Sequence, residues 1–101
     1  MSADAKSIEL AIAAGQAAKS KKATEVIALD VSERLVLTDM FVLATGNSDR
    51  QVRAIVDAVD EAMTKAGLKL LRREGLAQAH WVLLDYGMIV VHVQQEDDLS
   101  L

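Results

Sequence analysis

Residues 38–67 read TDMFVLATGNSDRQVRAIVDAVDEAMTKAG, a strand signal followed at once by a helix signal. Met40 to Thr45 is a short, nearly unbroken apolar run with β-branched members, the pattern of a strand covered on both faces. Gly46 and Asn47 end it. Ser48 and Gln51 then form an S-x-x-Q capping box, which satisfies two otherwise orphaned backbone donors at a helix start. Val52, Ile55, Val56, Val59, Met63 and Ala66 follow at the spacing of one helix face. Lys65 in the last turn complements the helix dipole, and Gly67 stands where a left-handed residue ends a helix. A buried strand feeding a capped amphipathic helix is the first half of a β-α-β unit, so the chain reads as α/β.

Upstream, Ala5 to Lys19 is an alanine-rich helix with Ile8 and Ile12 one turn apart on the same face. Gly15 weakens it locally, and Lys19, Lys21 and Lys22 close it against its dipole. Thr24 to Val31 carries Val26, Ile27, Ala28, Leu29 and Val31 and reads as a second buried strand. Ser32 to Val36 predicts a short helical turn, with Ser32 as its cap before Glu33. Downstream, Leu68 to Arg73, Trp81 to Tyr86 and Met88 to Gln94 predict three more strands. Gly87 supplies the positive φ for a tight turn between the last two. On the outer face of the central helix, Arg53 can pair with Asp57 and Glu61 with Lys65. Such exposed pairs contribute only about 0.3–0.5 kcal/mol each and mark a solvated face.

The expected architecture is therefore α/β (α+β-like), a single domain with element order α-β-β-α-β-β-β. It has a mixed five-stranded sheet, a nucleotidyltransferase-like topology and a right-handed crossover. Residues 1–22 form the N-terminal helix, 24–94 the α/β core and 95–101 a short acidic tail in which Leu99 and Leu101 follow Glu96, Asp97 and Asp98.

With 101 residues the chain has room for one core. It contains no cysteine, which excludes disulfides and thiolate metal sites, and its two histidines lie apart in sequence. A formal charge of −4 argues against a general nucleic-acid binder and suits a basic protein partner. No segment reaches membrane-spanning length and the first residues do not have the order of a signal peptide, so a cytoplasmic location is expected.

Candidate chemistry is sparse. The loop from Thr45 to Ser48 lies between a strand end and a helix N-terminus, where backbone N–H groups can hold a phosphate. It has neither the Walker lysine nor the G-x-G-x-x-G spacing. Its Gly-x-Ser turn resembles that of nucleotidyltransferases, but no D-x-D follows to hold two metal ions. A glycine turn with a serine cap accounts for it better. His92 shares a strand face with Met88, Val90 and Gln94, and a lone strand histidine is more often a hydrogen-bonded structural group than a catalyst. His80 stands at the edge of a loop. Asp30, Asp39 and Asp85 converge only if the strand order brings them together. Trp81 and Tyr86, the sole tryptophan and tyrosine, bracket one short strand, and such residues favour interfaces. Core packing of Trp81 is an equal alternative. Alternation sends Trp81, Leu83 and Asp85 one way and Val82, Leu84 and Tyr86 the other.

Taken in order, TDMFVLATGNSDRQVRAIVDAV, RREG, WVLLDYG and IVVHV resemble the ribosomal silencing factor family, RsfS or Iojap-related proteins. The resemblance covers Glu25 to Val93. It implies a non-enzymatic translation repressor, often a homodimer, that binds large-subunit ribosomal protein fourteen and obstructs joining of the ribosomal subunits. It implies no cofactor, no metal, no membrane partner and no sequence-specific nucleic acid. Trp81, Leu83, Leu84, Asp85 and Tyr86 match the family's W-x-L-L-D-Y motif, and Arg73, Glu74 and Gly75 its R-x-E-G. The partner-binding residues so implied are Arg73, Glu74, Trp81, Leu83, Asp85 and Tyr86. Trp81 and Tyr86 would be apolar anchors, Asp85 and Glu74 acidic contacts. The two aromatics can share one patch only at an edge strand or through a bulge. Thr45 to Gln51 fall in an A-T-G-x-S-x-x-Q motif read as architectural.

Met88 departs from the acid usual after Tyr-Gly. The family also commonly continues beyond the last strand with an aromatic-bearing segment. The competing function is a small nucleotide-binding or nucleotidyltransferase-like enzyme using the Gly46–Ser48 turn; paired carboxylates are missing for it.

Overall fold

The computed structural model describes residues 3–96. They run α1 (Ala5–Ser20), β1 (Glu25–Asp30), β2 (Met40–Gly46), α2 (Asp49–Lys65), β3 (Arg72–Glu74), β4 (Trp81–Asp85) and β5 (Ile89–Gln95). The sheet order is β1-β2-β5-β4-β3, with β2 and β5 parallel and the other neighbours antiparallel. After β2, α2 carries the chain to the far edge at β3, and the β3-β4-β5 meander returns it beside β2. The mixed five-stranded sheet and the element order agree with the sequence reading.

Both helices pack on one side of the sheet. Val42 and Ala44 of β2, Val91 and Val93 of β5, and Val82 and Leu84 of β4 are fully buried there. They meet Val52, Ile55, Val56, Val59 and Met63 of α2 and the alanine stripe of α1 in one core. Burying each Val or Ile contributes about 1.5–3 kcal/mol, which holds α2 far more firmly than helix propensity could. The opposite side has no helix. Phe41 and Leu43 on that side of β2 are only half-buried, so β2 is covered on one face, not two.

Local signals explain the ends of α2. The Ser48 Oγ accepts the Gln51 N–H at 3.1 Å, while Gln51 Oε1 accepts the amide of Asn47 at 2.6 Å, one residue before the cap. The Gln51 amide nitrogen also donates to the carbonyls of Lys21 and Lys22, at 3.1 and 2.7 Å. Gln51 thus ties the end of α1 to the start of α2, a tertiary role that capping alone does not predict. At the other end Gly67 adopts φ 90°. Its N–H reaches the Thr64 carbonyl, and the Leu68 N–H reaches that of Met63, both at 3.0 Å, which is a Schellman motif. Ala66 is the exposed C-cap and does not extend the buried face.

Several expectations are corrected. Ile8 and Ile12 share a face of α1 as expected, and that face is the exposed one. The buried stripe is Ser7, Leu10, Ala11, Ala14, Gly15 and Ala18. Small residues let α1 lie close to its neighbours, and a Cβ on Gly15 would come within 3.3 Å of the Val26 side chain. β1 is an exposed edge strand in which only Val26 is half-buried, because one of its faces is the open side. Residues 32–34 form a turn without helix. Asp30 Oδ1 accepts both the Ser32 hydroxyl at 2.6 Å and the Ser32 amide at 3.0 Å. Ser32 is therefore a donor in an Asx turn, not a cap. These bonds, with the Ala3 amide, hold the Asp30 carboxyl below its ordinary value.

Of the strand expected over Leu68 to Arg73 only Arg72 and Arg73 pair, with Glu74 beyond it, while Leu68 and Leu70 pack against the core from the preceding loop. Arg53 turns to the Ala77 carbonyl at 2.9 Å, whereas Glu61 and Lys65 pair at 3.1 Å as expected. The acidic run beyond Glu96, with Leu99 and Leu101, lies outside the described residues. Among those described, no helix is long and apolar enough to cross a membrane.

Candidate functional site

Paired residues of a sheet share a face, so the register assigns every open-side residue. One row runs Glu74, Leu83, His92, Leu43, Ile27 across all the strands, from β3 to β1. A second runs Arg72, Asp85, Val90, Phe41, Leu29, and a third joins Trp81, Gln94, Thr45 and Glu25. The centre of this face is apolar and its rim carries Glu25, Arg72, Glu74 and Asp85. Trp81 is 56% exposed, Leu29 43% and Ile27 40%. Beside Trp81 lies an open hollow of about 340 Å³, lined by Glu74, Gly75, Trp81, Leu83 and His92.

The Trp81 indole N–H donates to His92 Nδ1 at 3.1 Å. Its ring meets the imidazole edge-on at 6.0 Å between centroids, and Phe41 approaches from β2 at 5.3 Å. Burial lowers the pKa of His92. The histidine is thus a hydrogen-bonded member of an aromatic cluster. Its face was readable from alternation, and the Gly87 turn signalled that β4 lies beside β5, but its partner Trp81 depends on the register of that pair.

Of the six residues implied as partner contacts, Glu74, Trp81, Leu83 and Asp85 come together on the open face. Arg73 pairs with Leu84 and so belongs to the helix side. Tyr86 is only 4% exposed, on the same side as Val82 and Leu84. Its hydroxyl donates to Asp60 Oδ1 of α2 at 2.6 Å. Burial, and then this bond, push the phenol pKa well up. β4 lies one strand from the edge, but its register with β5 is unbroken and no bulge turns Tyr86 outward. Trp81 and Tyr86 therefore do not share a patch. Asp85 also accepts the Gly87 amide at 2.9 Å, with Gly87 at φ 88°, which fixes the β4–β5 turn.

Gly75 is architectural for a specific reason. It has φ 85°, and a Cβ there would stand 2.0 Å from the Trp81 carbonyl oxygen. Arg72 and Glu74 pair at 3.0 Å on the strand it ends.

The turn at Gly46 offers less. Ser48 Oγ is engaged by the Gln51 amide, and Asp49 accepts the side-chain amide of Gln95. Asp30 and Asp39 instead anchor the start of α1: Asp30 accepts the Ala3 amide at 2.8 Å and Asp39 the Ser7 hydroxyl at 2.7 Å. With Asp85 spent on its own turn, the three aspartates do not converge. Among the described residues no group of His, Cys, Asp and Glu could hold a metal ion.

A family profile described as "ribosomal silencing factor during starvation" matches residues 4–98. The chain is similar to the ribosomal silencing factor RsfS of Halalkalibacterium halodurans, 39% identical over 90 residues that cover 89% of this chain and 77% of that one. To the RsfS of Bacillus subtilis it is 40% identical over 87 residues, covering 86% and 74%. A crystal structure of a Chromobacterium violaceum protein matches with a TM-score of 0.83 at 33% identity, over 90% of this chain and 80% of that one.

Proposed function

The chain belongs to the ribosomal silencing factor family, and from that premise we propose that it docks its open sheet face on the large ribosomal subunit, through ribosomal protein fourteen, and so obstructs subunit joining. The role is regulatory and steric; the site of action is the cytoplasm, where subunits meet. The observation that carries this reading is the one-sided sheet, whose half-buried apolar centre is flanked by the exposed Ile27, Leu29 and Trp81 and rimmed by Glu25, Glu74 and Asp85, with Arg72 paired to Glu74. An apolar patch with a few large anchors supplies most of an interface's energy. Trp81 and Leu83 are those anchors. The acidic rim and the overall charge of −4 suit a basic ribosomal protein and would steer its approach. Tyr86 supports this face from behind, through Asp60, and Arg73 lies on the helix side of the edge strand. No observation favours nucleotide chemistry at the Gly46–Ser48 turn, where the Ser48 and Gln51 side chains already bond to backbone groups.

Sucrose-gradient sedimentation tests the proposal. Incubated with purified bacterial subunits under joining conditions, the protein should travel with the large-subunit peak and reduce the joined-ribosome peak. A protein that stays at the top of the gradient, with joining unchanged, sinks it.

A further inference from the structure

An indole N–H can only donate, so the nitrogen it meets at 3.1 Å must offer a lone pair. His92 is therefore neutral, with its proton on Nε2. The two rings are not equally free. His92 sits mid-strand in β5, flanked by β2 and β4 and held edge-on by Phe41. Trp81 is the first residue of β4, and more than half of it is exposed.

Charged groups on the same face come from three strands: Arg72 and Glu74 from β3, Asp85 from β4 and Glu25 from β1. β2 presents Phe41, Leu43 and Thr45, and both helices lie behind the sheet. Arg72 and Glu74 pair with each other, and Asp85 bonds the Gly87 amide.

We propose that His92 is a positioning residue for docking: its neutral imidazole holds the Trp81 indole in place, and gain of a proton releases the indole and weakens docking. This rests on the open face being the docking surface. The imidazolium carries an N–H on both nitrogens, so Nδ1 turns from acceptor to donor and faces another donor. His92 stays packed against Phe41, and the exposed indole swings away. Since burial lowers the imidazole pKa, the contact is intact at neutral pH. It is lost as pH falls through a value below about 6.5.

Trp81 is the sole tryptophan, so its fluorescence reports the contact directly. Emission is followed from about pH 7.5 to 5 for the wild type and for His92→Gln, whose amide oxygen can accept the indole N–H but does not titrate. Circular dichroism confirms native folding throughout. Affinity for purified large subunits is measured over the same range.

The wild type should show one emission transition with a midpoint below about 6.5, and its affinity should fall at least tenfold more than that of His92→Gln. At neutral pH His92→Gln should bind within about threefold of wild type, roughly 0.7 kcal/mol, the rescue expected of a retained acceptor. Absence of the transition, or its survival in His92→Gln, overturns the inference. So does a transition confined to the wild type with equal pH dependence of binding in both proteins; the docking reading then stands alone. Wild-type protein that does not bind subunits even at neutral pH refutes the docking reading, and the gate falls with it.

Discussion

Tyr86→Ala is expected to lower the melting temperature by roughly 15 °C or more while leaving the open face intact in whatever fraction stays folded. The ring is 4% exposed and packs beside Val82 and Leu84 in the layer between sheet and α2. Truncating an aromatic of this size in a core costs about 3–5 kcal/mol, from lost burial and from the cavity left behind. The change also removes the hydroxyl's bond to Asp60. Tyr86→Phe isolates that last part, and should cost about 1.5–3 kcal/mol as the loss of a hydrogen bond to a charged group. Thermal unfolding of the three proteins checks both steps. If Tyr86→Ala melts like the wild type and yet loses ribosome binding, Tyr86 is a contact residue and its assignment to the core is wrong.

Gly75→Ala should be nearly as damaging, and for a backbone reason. A non-glycine residue held at φ 85° costs about 1–3 kcal/mol. The new methyl would also stand 2.0 Å from the Trp81 carbonyl oxygen, which is backbone and cannot rotate aside. Forcing such a contact adds a further 1–3 kcal/mol or so. The β3–β4 pairing must then open, and Trp81 shifts with it. Gly67→Ala is the control: its φ is 90°, but nothing lies within 4 Å of the added Cβ. Chemical denaturation should rank Gly75→Ala clearly below Gly67→Ala. Equal losses would mean that conformation alone accounts for the glycine and that the close approach carries no weight.

These variants mark where the sequence could be read and where it could not. The capping pair Ser48 and Gln51, the apolar stripe from Val52 to Met63 and the end at Gly67 are local signals, and the helix they describe forms as α2. The alternation that separates Leu83 from Leu84 is equally local, and it already placed Trp81 and Tyr86 on opposite faces. Which face would be open was not legible, because that depends on both helices crossing to one side of the sheet. The same ambiguity made β1 look buried, and the spacing of Ile8 and Ile12 marked a shared face of α1 without marking it as the exposed one. An alanine stripe that packs by close approach leaves a weaker pattern than exposed isoleucines do. The contact of His92 with Trp81 is diagonal, since Trp81 faces Gln94 and His92 faces Leu83, and it required the register of the β4–β5 hairpin as well as its turn at Gly87. The motif resemblance named the strand that matters but could not separate its contact residues from those that support it.

The central claim, that the open face is the docking surface, is tested most directly by comparing Trp81→Ala with Ile12→Ala in equilibrium binding to purified large subunits. Both side chains are more than half exposed, at 56% and 54%, on opposite sides of the sheet, so neither truncation should disturb the fold. Trp81→Ala is expected to weaken binding at least tenfold, about 1.4 kcal/mol, and Ile12→Ala to bind like the wild type. Undiminished binding by Trp81→Ala, with a loss in Ile12→Ala, would place the ribosome on the helical side and contradict the account.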